Sequence, residues 1–224
     1  YYKINIMNIA LFDLDNTLIK GDSDYQWGNY LVENNYVDPK LYKEKNENFF
    51  EQYRKGTLCA REFAEFSYEP LTKYDFKTLI SIRKKFFEEK IKPLILPKAI
   101  DLIKFHKERK DILAIVTATN SFISRISADY FEINDLLASE PEFIDNKFTG
   151  RLHGEPCFQE GKVLKVKEWM KLNNYKSYDD IYFYTDSHND IKLLEYCTIP
   201  VAVDPDNILK ELSKKNNWKI MSLR

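Results

Sequence analysis

Four short stretches of this sequence carry acids, hydroxyls and a lysine in positions where chemistry could use them. Asp13 and Asp15, one residue apart, end the apolar run Ile9-Ala10-Leu11-Phe12. Alternate side chains of an extended strand face the same way, so both carboxylates point into one space. Two such carboxylates repel unless a cation lies between them or one keeps a proton. A hard divalent ion such as magnesium takes oxygen ligands and keeps waters or phosphate oxygens in its shell. Asp186 and Asp190 follow the run Ile181-Tyr182-Phe183-Tyr184 and are placed to complete that shell. Thr117, after the apolar run ending at Val116, offers a hydroxyl, and a turn at Ala118 opens backbone N–H groups toward a helix start. Lys162, beginning a helix after Gly161, offers a point charge. Phosphoryl transfer needs this combination: developing charge neutralised and equatorial oxygens held by donors.

Each residue type also has an ordinary structural use. An isolated Asp-x-Asp can cap a helix or make a turn, and acids favour the first turn of a helix. Thr117 can cap the helix after it, and Lys162 is one lysine among many. The weight rests on their joint occurrence, each at a strand or helix end. His188 reads as a rim residue beside the acids, and His106 and His153 have no partner at ligand spacing.

In chain order, these stretches resemble the motifs of the haloacid dehalogenase superfamily. Ile9 to Leu18 is similar to the first, Thr117 to the second, Gly161-Lys162 to the third and Thr185 to Asp190 to the fourth. The resemblance runs from Asn8 to Val203, and the stretch between the first two motifs resembles the cap of the phosphoserine-phosphatase-like branch. It implies that Asp13 attacks phosphorus and becomes an aspartyl phosphate. Asp15 would protonate the leaving alcohol, then act as base on the hydrolytic water. It further implies Mg2+ held by Asp13, the backbone carbonyl of Asp15 and Asp186, with Asp190 in support. Thr117, Ala118 and Lys162 would hold the phosphoryl oxygens, and Asn189 would brace that group.

Substrate choice, on the same resemblance, falls to the cap. The branch's amine-binding glutamate aligns with Asp22, and its carboxylate-binding arginine, counted on from Gly56, falls near Glu65, with Arg61 close by as the alternative register. Two acids there favour a cationic alcohol. Gly21 to Trp27 is also similar to bacterial members assigned as histidinol-phosphate phosphatases. Histidinol phosphate is therefore the expected substrate, with phosphoserine as the alternative. A phospho-receiver or a non-catalytic phosphate-binding module is the alternative from another class. Receivers, however, carry their Asp after a later strand and lack a helical insert, and inactive relatives are expected to lose one of the first-motif acids. P-type transport ATPases share the chemistry but need membrane helices.

Positioning these residues requires a parallel sheet. Apolar runs at Ile9–Phe12, Asp111–Val116, Leu136–Ser139, Ile181–Tyr184 and Ile199–Val203 alternate with helical patterns at 100–107, 161–172 and 189–196. That alternation predicts an α/β, doubly wound, Rossmann-like core, with the last buried strand at Ile199–Val203. A rim hairpin is expected over Phe143–Leu152. Between Asp24 and Lys92 the pattern is helical, with a start at Asp38-Pro39 and a break at Gly56-Thr57. The domain reading is a core of 7–21 and 95–224 with a helical cap of 22–94. The stripe Tyr25, Trp27, Tyr30 is expected in the cap core.

Composition sets outer bounds. The 224 residues suit one sizeable domain or a core with an insert. Lys and Arg total 34 against 35 Asp and Glu, a net charge of -1 that gives no reason to expect nucleic acid or an acidic membrane as partner. The expected partner is a small phosphorylated metabolite, and the chain a monomer or homodimer. The three cysteines, Cys59, Cys157 and Cys197, are widely spaced and suggest no disulfide framework, which fits a reducing, cytoplasmic setting. No stretch reaches the length of a membrane span. Met7 suits a natural start, with Tyr1 to Ile6 as upstream sequence.

Overall fold

The strand that ends in Asp13 sits at the centre of a sheet. The computed structural model describes residues 7–175 and 178–224; the expectation for Tyr1 to Ile6 lies outside them. β1 (Met7–Phe12) is followed by four helices, α1 (Ser23–Glu33), α2 (Pro39–Lys55), α3 (Ala60–Tyr68) and α4 (Phe76–Phe86). Then come α5 (Pro97–Glu108), β2 (Ile112–Asn120), α6 (Ser121–Tyr130), β3 (Asp135–Ile144), β4 (Lys147–His153) and α7 (Glu160–Leu172). The chain closes with β5 (Tyr178–Thr185), α8 (Ile191–Tyr196), β6 (Ile199–Val203), α9 (Asn207–Asn216) and β7 (Lys219–Met221). The sheet order is β4-β3-β2-β1-β5-β6-β7, parallel throughout except for the β3–β4 hairpin. This is the α/β architecture expected from the alternation.

The unbroken apolar character of β1 follows from cover on both faces. Ile9 and Leu11 share a core with Val166, Trp169, Leu193 and Leu209 of α7, α8 and α9. Ala10 and Phe12 face the other way and share a core with Ala99, Ile103 and Ile123 of α5 and α6. All four strand residues are fully buried, and a buried Phe side chain alone contributes about 1.5–3 kcal/mol. Cover of this kind leaves only the carboxyl end of β1 open for chemistry.

The insert is held by two adjacent connectors. Lys20 N–H donates to the Leu94 carbonyl at 2.7 Å, and Leu96 N–H donates to the Leu18 carbonyl at 3.2 Å. Asp38 caps α2 by accepting from Leu41 N–H at 2.9 Å, and Gly56 ends it in the left-handed region at φ 70°. Trp27 and Tyr30 are buried against Phe86, with ring centroids 5.0 and 5.5 Å apart. Trp27 and Tyr30 are thus core residues, in one cluster with Phe122 of α6. Tyr25 differs, lining the cavity described below.

Three local expectations change. The third strand is longer than Leu136–Ser139, because β3 runs on to Ile144 and turns through Asp145 and Asn146, both at positive φ, into β4. The helix expected from Asn189 begins as a 3-10 turn over His188–Asp190. After β6 the chain adds α9 and β7, a three-residue edge strand too short and too exposed to leave an apolar signature. Among the described residues no helix is long and apolar enough to cross a membrane.

Candidate active site

Asp13 is anchored by its backbone and crowded at its carboxylate. Its N–H donates to the Tyr184 carbonyl at 2.9 Å, which ties the end of β1 to the end of β5. Lys162 Nζ donates to Asp13 Oδ1 at 2.9 Å, and Thr17 Oγ1 donates to Asp13 Oδ2 at 3.2 Å. Burial pushes the Asp13 carboxyl up to about 7; Lys162 opposes the shift, while Asp190 and Asp15 add to it. Burial alone would discharge Lys162, yet Asp13 and Asp190 outweigh it and hold the ammonium above its ordinary value.

Lys162 reaches this place because Gly161 precedes it. A Cβ on Gly161 would lie 1.9 Å from the Pro156 carbonyl oxygen, so only glycine lets the loop enter α7 here. Asp190 holds the lysine from its other side. Its Oδ2 accepts from Lys162 Nζ at 2.7 Å and from Thr185 Oγ1 at 2.6 Å. Asp190, expected in support of a metal, holds the lysine through this one oxygen.

Asp15 sits between core and insert. Ser23 N–H donates to its Oδ1 at 2.6 Å and Thr119 Oγ1 to its Oδ2 at 2.7 Å. Burial, then the nearby Asp22, pushes its carboxyl up to about 6 against those two donors. The group therefore exchanges a proton near neutrality, as an acid that later serves as base requires. Sequence reasoning gave neither Ser23 nor Thr119 a role. A hydroxyl two residues beyond Thr117, on the same strand face, was the available signal.

Thr117 is buried, lines the same cavity, and accepts from Thr119 N–H at 3.2 Å. Ala118 also lines the cavity, but β2 continues through it to Asn120. The expected turn at Ala118 is thus extended strand, and α6 opens three residues later with Asn120 as its cap. The expected phosphate-binding role of Asn189 also changes. Its Nδ2 donates to the Tyr53 carbonyl at 3.3 Å and its Oδ1 accepts from Gln159 Nε2 at 3.4 Å, joining α2 to the core.

Asp186 faces Asp13 across Thr17. Thr17 Oγ1 lies 3.2 Å from Asp13 Oδ2 and 3.4 Å from Asp186 Oδ1, and it accepts from Asp186 N–H at 3.1 Å. Burial, with Asp13 and Asp190 adding, raises the Asp186 carboxyl well above its usual range. Crowded, buried carboxylates of this kind are relieved by a cation, and the donor set is all oxygen, which suits magnesium. Among the described residues no three His, Cys, Asp or Glu side chains converge as a closed metal cage. Magnesium does not need one, since it binds through one or two carboxylates and fills its shell with water and phosphate oxygens.

The cavity above these groups extends into the insert. Asp22 lines it while capping α1, its Oδ1 accepting from Tyr25 N–H at 2.8 Å. Tyr25, Phe49, Phe50, Phe63 and Tyr68 form its aromatic wall, and Tyr53 and Phe158, with ring centroids 6.0 Å apart, also line it. Glu65 is absent from this wall. It is solvent-exposed on α3, whose inward face carries Ala64 and Tyr68. The expectation that Glu65 contacts substrate is therefore corrected: the count from Gly56 lands on the outer face of the helix.

A doubly wound sheet with this constellation at its carboxyl edge defines a hydrolase of the haloacid dehalogenase kind. The sequence profile of the haloacid dehalogenase-like hydrolases matches residues 10–195, and the chain belongs to that family. A histidinol-phosphatase of Neisseria meningitidis is 34% identical over 220 residues, covering 97% of this chain and 99% of that protein. A phosphoserine phosphatase of Mycobacterium tuberculosis is 24% identical, covering 99% of this chain and 72% of that one. A crystal structure of a Bordetella pertussis protein of unknown function superposes with a TM-score of 0.91 at 36% identity, covering 98% of this chain and all of that one (100%). A substrate-bound phosphoserine phosphatase shares the fold at a TM-score of 0.68 and 18% identity, over 92% of this chain and 90% of that one.

Proposed function

We propose that this chain is a magnesium-dependent phosphomonoesterase that works through an aspartyl phosphate on Asp13. The observation that carries the reading is the buried contact of Asp13 with Lys162, beside an Asp15 whose carboxyl is raised to about 6. Asp13 Oδ attacks phosphorus while the ester oxygen leaves and takes the proton from Asp15. Asp15, now a carboxylate, draws a proton from water, whose oxygen attacks the phosphorus of the aspartyl phosphate. Inorganic phosphate departs and both acids return to their starting states. Lys162 and the Thr117 hydroxyl hold the phosphoryl oxygens, and Asp190 keeps Lys162 charged and aimed. Asp13, Asp186 and the Asp15 carbonyl would hold the magnesium, which supplies charge neutralisation at the phosphoryl oxygens.

Residues 22–94 serve as the cap that closes the cavity over the alcohol. The substrate is a small amino-alcohol phosphate, histidinol phosphate foremost. Two observations support it: the full-length relationship to the Neisseria histidinol-phosphatase, and a cavity that no Lys or Arg among the described residues lines, so that nothing there receives a substrate carboxylate. Phosphate release from histidinol phosphate and phosphoserine, measured with magnesium and with chelator, tests the reading, with Asp13→Asn as blank. Release that needs magnesium and Asp13, with the higher kcat/KM for histidinol phosphate, is the expected result. Equal release by Asp13→Asn would sink the mechanism, and a clear preference for phosphoserine the substrate.

A further inference from the structure

Two polar groups inside the insert have acceptor capacity that the protein itself does not use. Asn46, on α2, is 4% exposed and lines the cavity. Its Nδ2 donates to the Tyr25 carbonyl at 3.3 Å. A carbonyl can only accept, so this bond fixes which amide atom faces it and turns Oδ1 elsewhere. That Oδ1 accepts no hydrogen bond among the described residues. Gly28 of α1 makes room for the amide: a Cβ there would lie 2.6 Å from Asn46 Nδ2.

Asp24, one residue into α1, lines the same cavity. Its Oδ1 accepts from Asn120 Nδ2 at 3.2 Å, and the Thr119 hydroxyl also bonds to the carboxylate, which still leaves acceptor capacity free. Helix capping does not account for it, because Asp22 already caps α1. Burial next to Asp22 and Asp15 raises the carboxyl well above its ordinary value, an arrangement that costs stability in the empty protein. A cation placed there would offset that cost. Aromatic faces at Tyr25, Phe50 and Tyr68 favour the same kind of guest.

We infer that Asp24 and Asn46 form the receptor for a protonated nitrogen group at the end of the substrate remote from phosphate. The inference rests on the phosphatase reading above and deepens it. Asp22, which also lines the cavity, acts by its charge on both Asp15 and Asp24. The site thus takes phosphate esters of alcohols that carry a hydrogen-bonding cation, and it discriminates against uncharged alcohols of the same shape. The discriminating acid is Asp24, a residue of α1, and not Glu65 of α3.

The test compares two esters on each protein: histidinol phosphate, and 3-phenylpropyl phosphate as an uncharged analogue of similar length. The readout is the ratio of their kcat/KM values, which partial misfolding leaves unchanged because both rates fall together. Wild type is expected to prefer the cationic ester. Asp24→Asn is expected to cut that preference about 10- to 100-fold, the range for losing a hydrogen bond to a charged group. Asn46→Leu should cut it less, and Asp24→Glu, which keeps the charge, should retain most of it. A wild type that hydrolyses both esters without preference, or an Asp24→Asn ratio equal to wild type, overturns the receptor. Release from neither ester by wild type with magnesium refutes the phosphatase reading itself.

Discussion

Gly161 has no space for a side chain beside Pro156: a methyl group on it would meet the Pro156 carbonyl oxygen at 1.9 Å. Backbone oxygen cannot swing aside as a side chain can, so the loop before α7 must shift and Lys162 with it. Gly161→Ala is expected to destabilise the fold by about 1–3 kcal/mol, the usual range for overpacking. Phosphatase activity should fall further than stability does, because a displacement near 1 Å at a catalytic group costs on the order of 100-fold. Urea unfolding and kcat on the same preparation check both.

Lys162 stands between two carboxylates, Asp13 at 2.9 Å and Asp190 at 2.7 Å, and all three side chains are buried. Lys162→Met leaves the two acids facing each other with no cation. Breaking a buried pair in this way costs about 3–5 kcal/mol. Without the lysine, the Asp13 carboxyl, which burial already raises to about 7, loses the group that lowers it and rises further. The variant then binds more protons folded than unfolded, so its stability increases as pH falls. Urea midpoints for variant and wild type between pH 8 and pH 5, roughly the range above the carboxylate pKa values, should converge toward the acid end. A constant gap across that range contradicts the account.

His106 lies buried behind the site, with Nδ1 at 2.7 Å from Asp111 Oδ2 and Nε2 at 2.8 Å from the Tyr184 hydroxyl. Burial lowers its pKa, although Asp111 pulls the other way. The neutral ring satisfies both partners, Nδ1–H donating to Asp111 and Nε2 accepting from Tyr184. A depressed pKa means that the unfolded chain takes up the proton first, so this contribution is present above the unfolded value of about 6.5 and is lost as pH falls below it. Comparing wild type with His106→Gln in urea, we expect the stability difference to narrow on acidification. A difference that widens would show that the charged imidazolium is the folded form.

Glu65→Ala should leave kcat/KM for histidinol phosphate within about twofold of wild type, since exposed positions away from the site have small effects. A large loss would return Glu65 to the cavity and reverse the correction made from the structure.

The core of the site was legible before any coordinates because each of its parts obeys a local rule. Asp13 and Asp15 end a strand whose period of two aligns them, Gly161 precedes a helix-opening lysine, and Thr185 to Asp190 follow an apolar run. Parallel strands bring such ends to one edge whatever joins them. The edge strand β7 escaped because three half-exposed residues carry no period.

What the residues alone could not decide is which partner each acid meets. Asp190 and Asp186 are four residues apart and the same residue type, yet one holds Lys162 and the other faces Asp13 across Thr17. That division depends on how α7 packs against α8 and the turn that opens it, a contact between residues 28 positions apart in Lys162 and Asp190. In the insert the gap is wider. Helical periodicity shows that α3 has an inward face, but a shift of one residue turns it by about 100°. Counting along the chain therefore chose Glu65, which packing turns outward, while Asp24 and Asn46 line the cavity. Spacing within single strands and helices marked the acids and the lysine that the fold brings together at one edge of the sheet. Tertiary structure alone decided the shape and charge of the cavity they serve, because its wall is assembled from three helices whose mutual rotation no local pattern encodes.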